Sequence, residues 1–182
     1  MTRRRYLFDT PDRFVAGTVG QPGNRVFFLQ AREGGRIVSV ALEKIQVAAL
    51  AQRLDELLDE LGRRGVEGAA EAIEAEPEER ADTTPLDEPI NEAFRAGTLS
   101  LGWNATAGRV LIEAREITDD EDDEETLTAE DDDDTDGPDL LRVRVTAAAA
   151  RAFVERAVRV LASGRPPCPL CGQPLDPQGH LC

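Results

Sequence analysis

The sequence has 182 residues, enough for one domain with a small appendix, and is 41% hydrophobic but only 4% aromatic. Its 36 acidic and 21 basic residues give a formal net charge of -15, which argues against non-specific nucleic-acid binding and against an anionic membrane surface. No apolar run approaches the roughly 18 residues of a membrane span, and the arginines of MTRRRYLFDTPDRF have no apolar stretch behind them as a signal peptide would.

Arg5 to Phe8 reads as a short strand, and Asp9-Thr10-Pro11-Asp12 as a turn. Phe14 to Val19 follows as a strand, then a turn over Gly20-Gln21-Pro22-Gly23-Asn24 and an apolar strand over Arg25 to Arg32. Gly34-Gly35 signals a hairpin into a strand over Ile37 to Leu42. The period then changes. Leu50, Leu54, Leu57, Leu58 and Leu61 share one helix face, which predicts a helix over 45–63 ended by Gly62 or Gly65. Residues 66–91, rich in Glu, Ala and Pro, read as a linker with a short helix at 66–75.

The pattern then begins again. Phe94-Arg95-Ala96-Gly97-Thr98 echoes Phe14-Val15-Ala16-Gly17-Thr18, and Arg109 to Glu116 echoes Arg25 to Glu33 less one residue. Leu140 to Val145 takes the place of Ile37 to Leu42, and a second helix over 147–162 starts after Thr146 as N-cap, with Phe153, Ala157, Val160 and Leu161 on one face. The expected fold is α+β: two related βββα halves, 1–65 and 92–163, with antiparallel sheet or sheets and packed helices about a pseudo-two-fold axis. A small zinc-knuckle-like element, 164–182, follows. Between the second and third strands of the second half, 118–139 holds fourteen acidic residues. Like charges at that density predict a solvated, disordered loop. Asp131 to Thr135 lacks the ligand order and glycine of a calcium loop.

All three cysteines and the one histidine fall in CPLCGQPLDPQGHLC at the C-terminal end, as C-x2-C-x8-H-x-C. Cys168, Cys171, His180 and Cys182 are the candidate ligands of a structural zinc, which takes four Cys or His ligands in a tetrahedron. Gly172 frees the backbone after the second thiol, Gly179 lets the chain return, and a segment this short needs a metal to fold. A redox CxxC lacks a preceding βαβ context, and four protein ligands leave no open position for catalysis. Clustered, odd-numbered cysteines also fit a reducing compartment, so a cytoplasmic protein is expected. Nucleic-acid binding through the knuckle is not expected, because no Lys, Arg or aromatic residue lies between the ligands.

A second candidate site is a ligand-binding loop over Gly17 to Gly23. Gly17, Gly20 and Gly23 could cradle a phosphate, with Arg25, Glu43 and Lys44 nearby, although neither a P-loop ending nor GxGxxG order is present. A plain inter-strand turn is the competing reading. No GxSxG and no histidine triad outside the zinc candidate appears, so the reading leans away from an enzyme. It favours a non-catalytic adaptor, with a small-molecule or nucleotide-binding protein as the alternative.

DRFVAGTVGQPGNRVFFLQAREGG, EKIQVAALAQRLDELL and CPLCGQPLDPQGHLC together resemble one family, the actinobacterial family catalogued as domain of unknown function 3090. The resemblance covers nearly the whole chain apart from the acidic segments. It implies a trio with a histidine-phosphatase-like protein and a kinase-related protein of the phosphatidylinositol type, and hence a protein partner among them. In the family, the tail continues past the last cysteine with Pro-Arg and Asn-Gly, whereas this sequence stops at Cys182.

Overall fold

The computed structural model describes residues 2–70, 82–119, 135–175, 179 and 181–182. The elements in chain order are β1 (Arg5–Phe8), β2 (Arg13–Gln21), β3 (Asn24–Glu33), β4 (Arg36–Leu42), α1 (Lys44–Arg63), β5 (Glu92–Asn104), β6 (Arg109–Glu116), β7 (Leu140–Val145) and α2 (Ala147–Ala162). Residues 71–75 of the expected short helix and 120–134 of the acidic segment lie outside the described residues.

Local chemistry sets the boundaries. Pro22-Gly23 joins β2 to β3, and Gly23 at φ 92° supplies the positive φ that follows proline in a type II turn. Gly34 at φ 59° turns β3 into β4, and its N–H donates to Asp12 Oδ2 at 2.7 Å. At the start of α1, Gln46 Oε1 accepts the Glu43 N–H at 2.7 Å. At its end Gly65 is left-handed at φ 69°, its N–H donates to Gly62 O, and the Val66 N–H donates to Leu61 O. That pair of bonds is the Schellman motif. Thr146 Oγ1 accepts the Ala149 N–H at 3.1 Å and caps α2.

The strands form one seven-stranded sheet in the order β1-β7-β6-β5-β4-β3-β2. The sheet is mixed, which corrects the antiparallel expectation. The hairpin pairs β2–β3, β3–β4, β5–β6 and β6–β7 are antiparallel, but β4–β5 and β1–β7 are parallel. The reason is connectivity: α1 carries the chain back to the starting end of the sheet before β5, and only a crossover joins parallel neighbours.

β1 departs furthest from its sequence neighbours, lying at the edge opposite β2 although only Asp9 to Asp12 connect the two. A flat sheet of seven strands would separate its edges by about 29 Å, while such a link spans at most about 18 Å. The sheet therefore curls until its edges approach. Arg36 at the start of β4 donates to Leu7 O and sits 4.0 Å over the Phe8 ring.

Alternation divides the sheet's faces. Phe14, Ala16, Leu29, Val40, Leu42, Phe94, Val110, Ile112 and Val143 meet Leu50, Leu54 and Leu58 of α1 and Phe153 of α2 in the main core. The rings of Phe14 and Phe153 stack at 4.7 Å between centroids. On the other face a small cluster of Val15, Phe28 and Ala41 is covered by Leu86 and Ile90. Beside it, under β6 and β7, the side chains of Glu113 and Arg142 form a buried cross-strand ion pair at 3.1 Å.

Residues 82–90 are thus held against the sheet. Arg13 binds Asp82 through Nε at 2.7 Å and Nη2 at 2.9 Å, and reaches Asp87 at 3.0 Å. Gln30 Nε2 donates to Asp87 O. Arg156 of α2, itself buried, donates to Ala16 O at 2.7 Å and to Asp82 O at 2.8 Å.

Candidate functional site

The segment after α2 doubles back on itself through backbone pairing. Cys168 N–H donates to Gln173 O at 2.7 Å, Leu175 N–H donates to Pro166 O at 2.8 Å, and Pro167 bridges Pro174. Gly172 makes the turn at φ 73°, with its N–H on Cys168 O at 2.8 Å. This geometry brings the sulfur atoms of Cys168, Cys171 and Cys182 within 4.8 Å of one another. Cys168 Sγ and Cys182 Sγ are 4.0 Å apart. Cys168 is buried, while Cys171 and Cys182 are exposed.

Backbone donors act on the buried sulfur. The Leu170 N–H points at Cys168 Sγ at 3.5 Å. Backbone N–H groups, Cys171's foremost and then Leu170's, lower the Cys168 thiol below its ordinary pKa. Cys182 moves the other way, chiefly because its thiol hydrogen-bonds with Cys168. Three thiols this close can bind a metal ion. His180, the fourth ligand expected from the sequence, lies outside the described residues.

The second candidate set is divided by the structure. Gly17 is a glycine for packing: a β-carbon there would stand 2.5 Å from Leu86 Cδ2. Gly20, at φ 104°, has the Asn24 carbonyl oxygen 2.7 Å from where its β-carbon would be. Neither lines the cleft that takes in Gly23. Glu43 is an exposed residue at the start of α1, paired with Arg95 at 3.1 Å. Gly23, Arg25 and Lys44, by contrast, come together in a cleft of about 380 Å³. It also takes in Asn24, Val26, Phe27, Gly164, Arg165 and Pro174. Arg25 is fixed there by Ser163 Oγ at 3.1 Å and Val160 O at 3.2 Å, at the C-terminal end of α2.

The sequence reading missed Arg165, which no local pattern connects to a turn well over a hundred residues earlier. It also missed Asp82, whose carboxyl is held well below the usual carboxylate range, first by the Arg13 hydrogen bonds. No helix among the described residues is long and apolar enough to cross a membrane.

A family model described as "Protein of unknown function (DUF3090)" matches residues 6–182, essentially the whole chain. No curated protein matches the chain, and no solved structure does. The chain belongs to the DUF3090 family.

Proposed function

For this member of the DUF3090 family, we propose a non-catalytic interaction module whose C-terminal tip is stapled by a structural zinc ion. Cys168, Cys171 and Cys182 hold the metal, joined by His180 on the grounds of its spacing. The observation that carries the reading is the convergence of three sulfurs within 4.8 Å on a turn that displays apolar side chains outward. Leu170 is 85% exposed and Leu181 fully so, each beside a cysteine. Zinc suits a mixed thiolate and imidazole set, and four protein ligands make the site structural. Exposed leucines on a metal-held tip are a surface for a protein partner.

The partner we propose is one of the two proteins implied by the family resemblance, the phosphatidylinositol-kinase-related or the histidine-phosphatase-like protein, in the cytoplasm. We also read 1–65 and 92–163 as two related βββα units, with 66–91 joining them and 164–182 as the knuckle. Support comes from Gly17 and Gly97, which hold equivalent places in the two sequence runs. Each is closely approached, Gly17 by Leu86 and Gly97 by Ile117, whose Cα would lie 2.8 Å from a β-carbon.

The test is co-purification of the zinc-loaded full chain with each of those two proteins. A complex that survives gel filtration with the natural chain and is lost with Leu170→Glu supports the module. Failure of the natural chain to hold either protein contradicts it.

A further inference from the structure

Fourteen of the 36 acidic residues lie in 118–139, so the rest of the chain is close to neutral. The cleft between the β2–β3 hairpin, the start of α1 and the segment after α2 is locally basic. Arg25, Lys44 and Arg165 line it, and no acidic residue does among the described lining residues. Arg25 of β3 and Lys44 of α1 repel one another unless something negative lies between them.

The positions of these two converge on one point. The place where a Gly164 β-carbon would stand is 3.6 Å from Arg25 Nη2 and 3.7 Å from Lys44 Nζ. A ligand seated in the cleft against the bare backbone of Gly164 therefore faces both charges. The Arg165 side chain packs on the other glycine of the cleft, its Nε 3.2 Å from the β-carbon position of Gly23. Arg25 is prevented from swinging away by its bonds to Ser163 and Val160 and by the Phe27 ring beneath it at 5.0 Å. Lys44, the chain's single lysine, has no hydrogen-bond or ion-pair partner among the described residues. A fixed guanidinium beside an uncommitted ammonium suits a tetrahedral oxyanion, the first by its fork of donors and the second as a point charge.

We propose that this cleft binds the phosphate group of a small phosphorylated molecule. The phosphate occupies the seat at Gly164 between Arg25 and Lys44, and the organic part lies along Val26, Phe27 and Pro174, the apolar portion of the lining. The binding is independent of any partner at the metal-stapled tip.

The test is calorimetric titration of the full chain with two probes, inorganic phosphate and phenyl phosphate. Lys44→Gln and Gly164→Ala are compared with Arg63→Gln as a control on the far end of α1. Lys44 is exposed, and a methyl at Gly164 meets nothing closer than ordinary van der Waals contact, so both variants fold. The expected result is saturable binding of both probes, tighter for phenyl phosphate and weaker at high salt. Affinity falls about tenfold in Lys44→Gln and in Gly164→Ala and is unchanged in Arg63→Gln. No binding of either probe, or equal loss in the control, overturns the site. Inorganic phosphate binding as tightly as the ester overturns the assignment to a phosphorylated organic molecule.

Discussion

Replacing Asp82 by asparagine tests whether residues 82–90 are fastened to the sheet by charge. The Asp82 carboxylate accepts from Arg13 Nε and Nη2, from Arg156 Nη1 at 3.0 Å, and from the N–H and Oγ1 of Thr84. The side chains of Arg13 and Arg156 are only 9% and 7% exposed, so the substitution leaves two desolvated guanidiniums short of a counter-charge. Removing one partner of a fully buried pair costs about 3–5 kcal/mol. Asp82 is itself 31% exposed, which screens the pair and brings the expected loss to about 2 kcal/mol. The sign with pH follows from the direction of the shift. The folded-state pKa is depressed, chiefly by Arg13, so the contribution is complete above the unfolded carboxyl value of about 4 and is lost as the pH falls below it. Urea unfolding of the natural chain and Asp82→Asn at pH 7 should show midpoints about 1 M apart. The gap should narrow steadily in a series taken below pH 4. Equal midpoints at pH 7, or a gap that persists undiminished into acid, would refute the reasoning.

Gly17→Ala should destabilise the fold by about 1–2 kcal/mol, because the new methyl meets Leu86 at 2.5 Å. Much of that should return in the double variant with Leu86→Ala, read as a coupling energy in chemical denaturation. Leu54→Ala removes a fully buried side chain between α1 and the sheet and should cost about 3 kcal/mol in the same assay. Thr146→Ala deletes the cap on Ala149 N–H and should lower stability by about 1 kcal/mol without altering the circular dichroism of the folded state.

What could be read from the sequence was local. Pro22-Gly23 and Gly34-Gly35 mark hairpins because proline and glycine dictate turn dihedrals within a few residues. The leucines of α1 announce a buried face because they recur every three or four positions, and Leu50, Leu54, Leu58 and Leu61 are indeed buried, with Leu57 at the margin. Cys168 and Cys171 are adjacent for the same reason. The parallel joins β4–β5 and β1–β7 were not legible, since the residues that pair there carry no complementary signal and their register is set by the packing of α1 and the curl of the sheet. Nor was the anchoring of 82–90 legible. Its composition reads as solvent-loving, and the acidic residues become structural only because Arg13 and Arg156 arrive from β2 and α2. The basic cleft lay half in view: Arg25 and Lys44 stood out beside a glycine-rich turn, but Arg165 and the seat at Gly164 are brought in by the fold.

The most direct test of the metal-stapled tip is native mass spectrometry of the chain purified under reducing conditions, with and without chelator, beside a Cys168→Ser, Cys171→Ser variant. The account predicts one zinc per natural chain, removed by chelator and missing from the variant, whose sheet and helices stay folded because none of the core clusters includes a cysteine. A natural chain that carries no metal would contradict it.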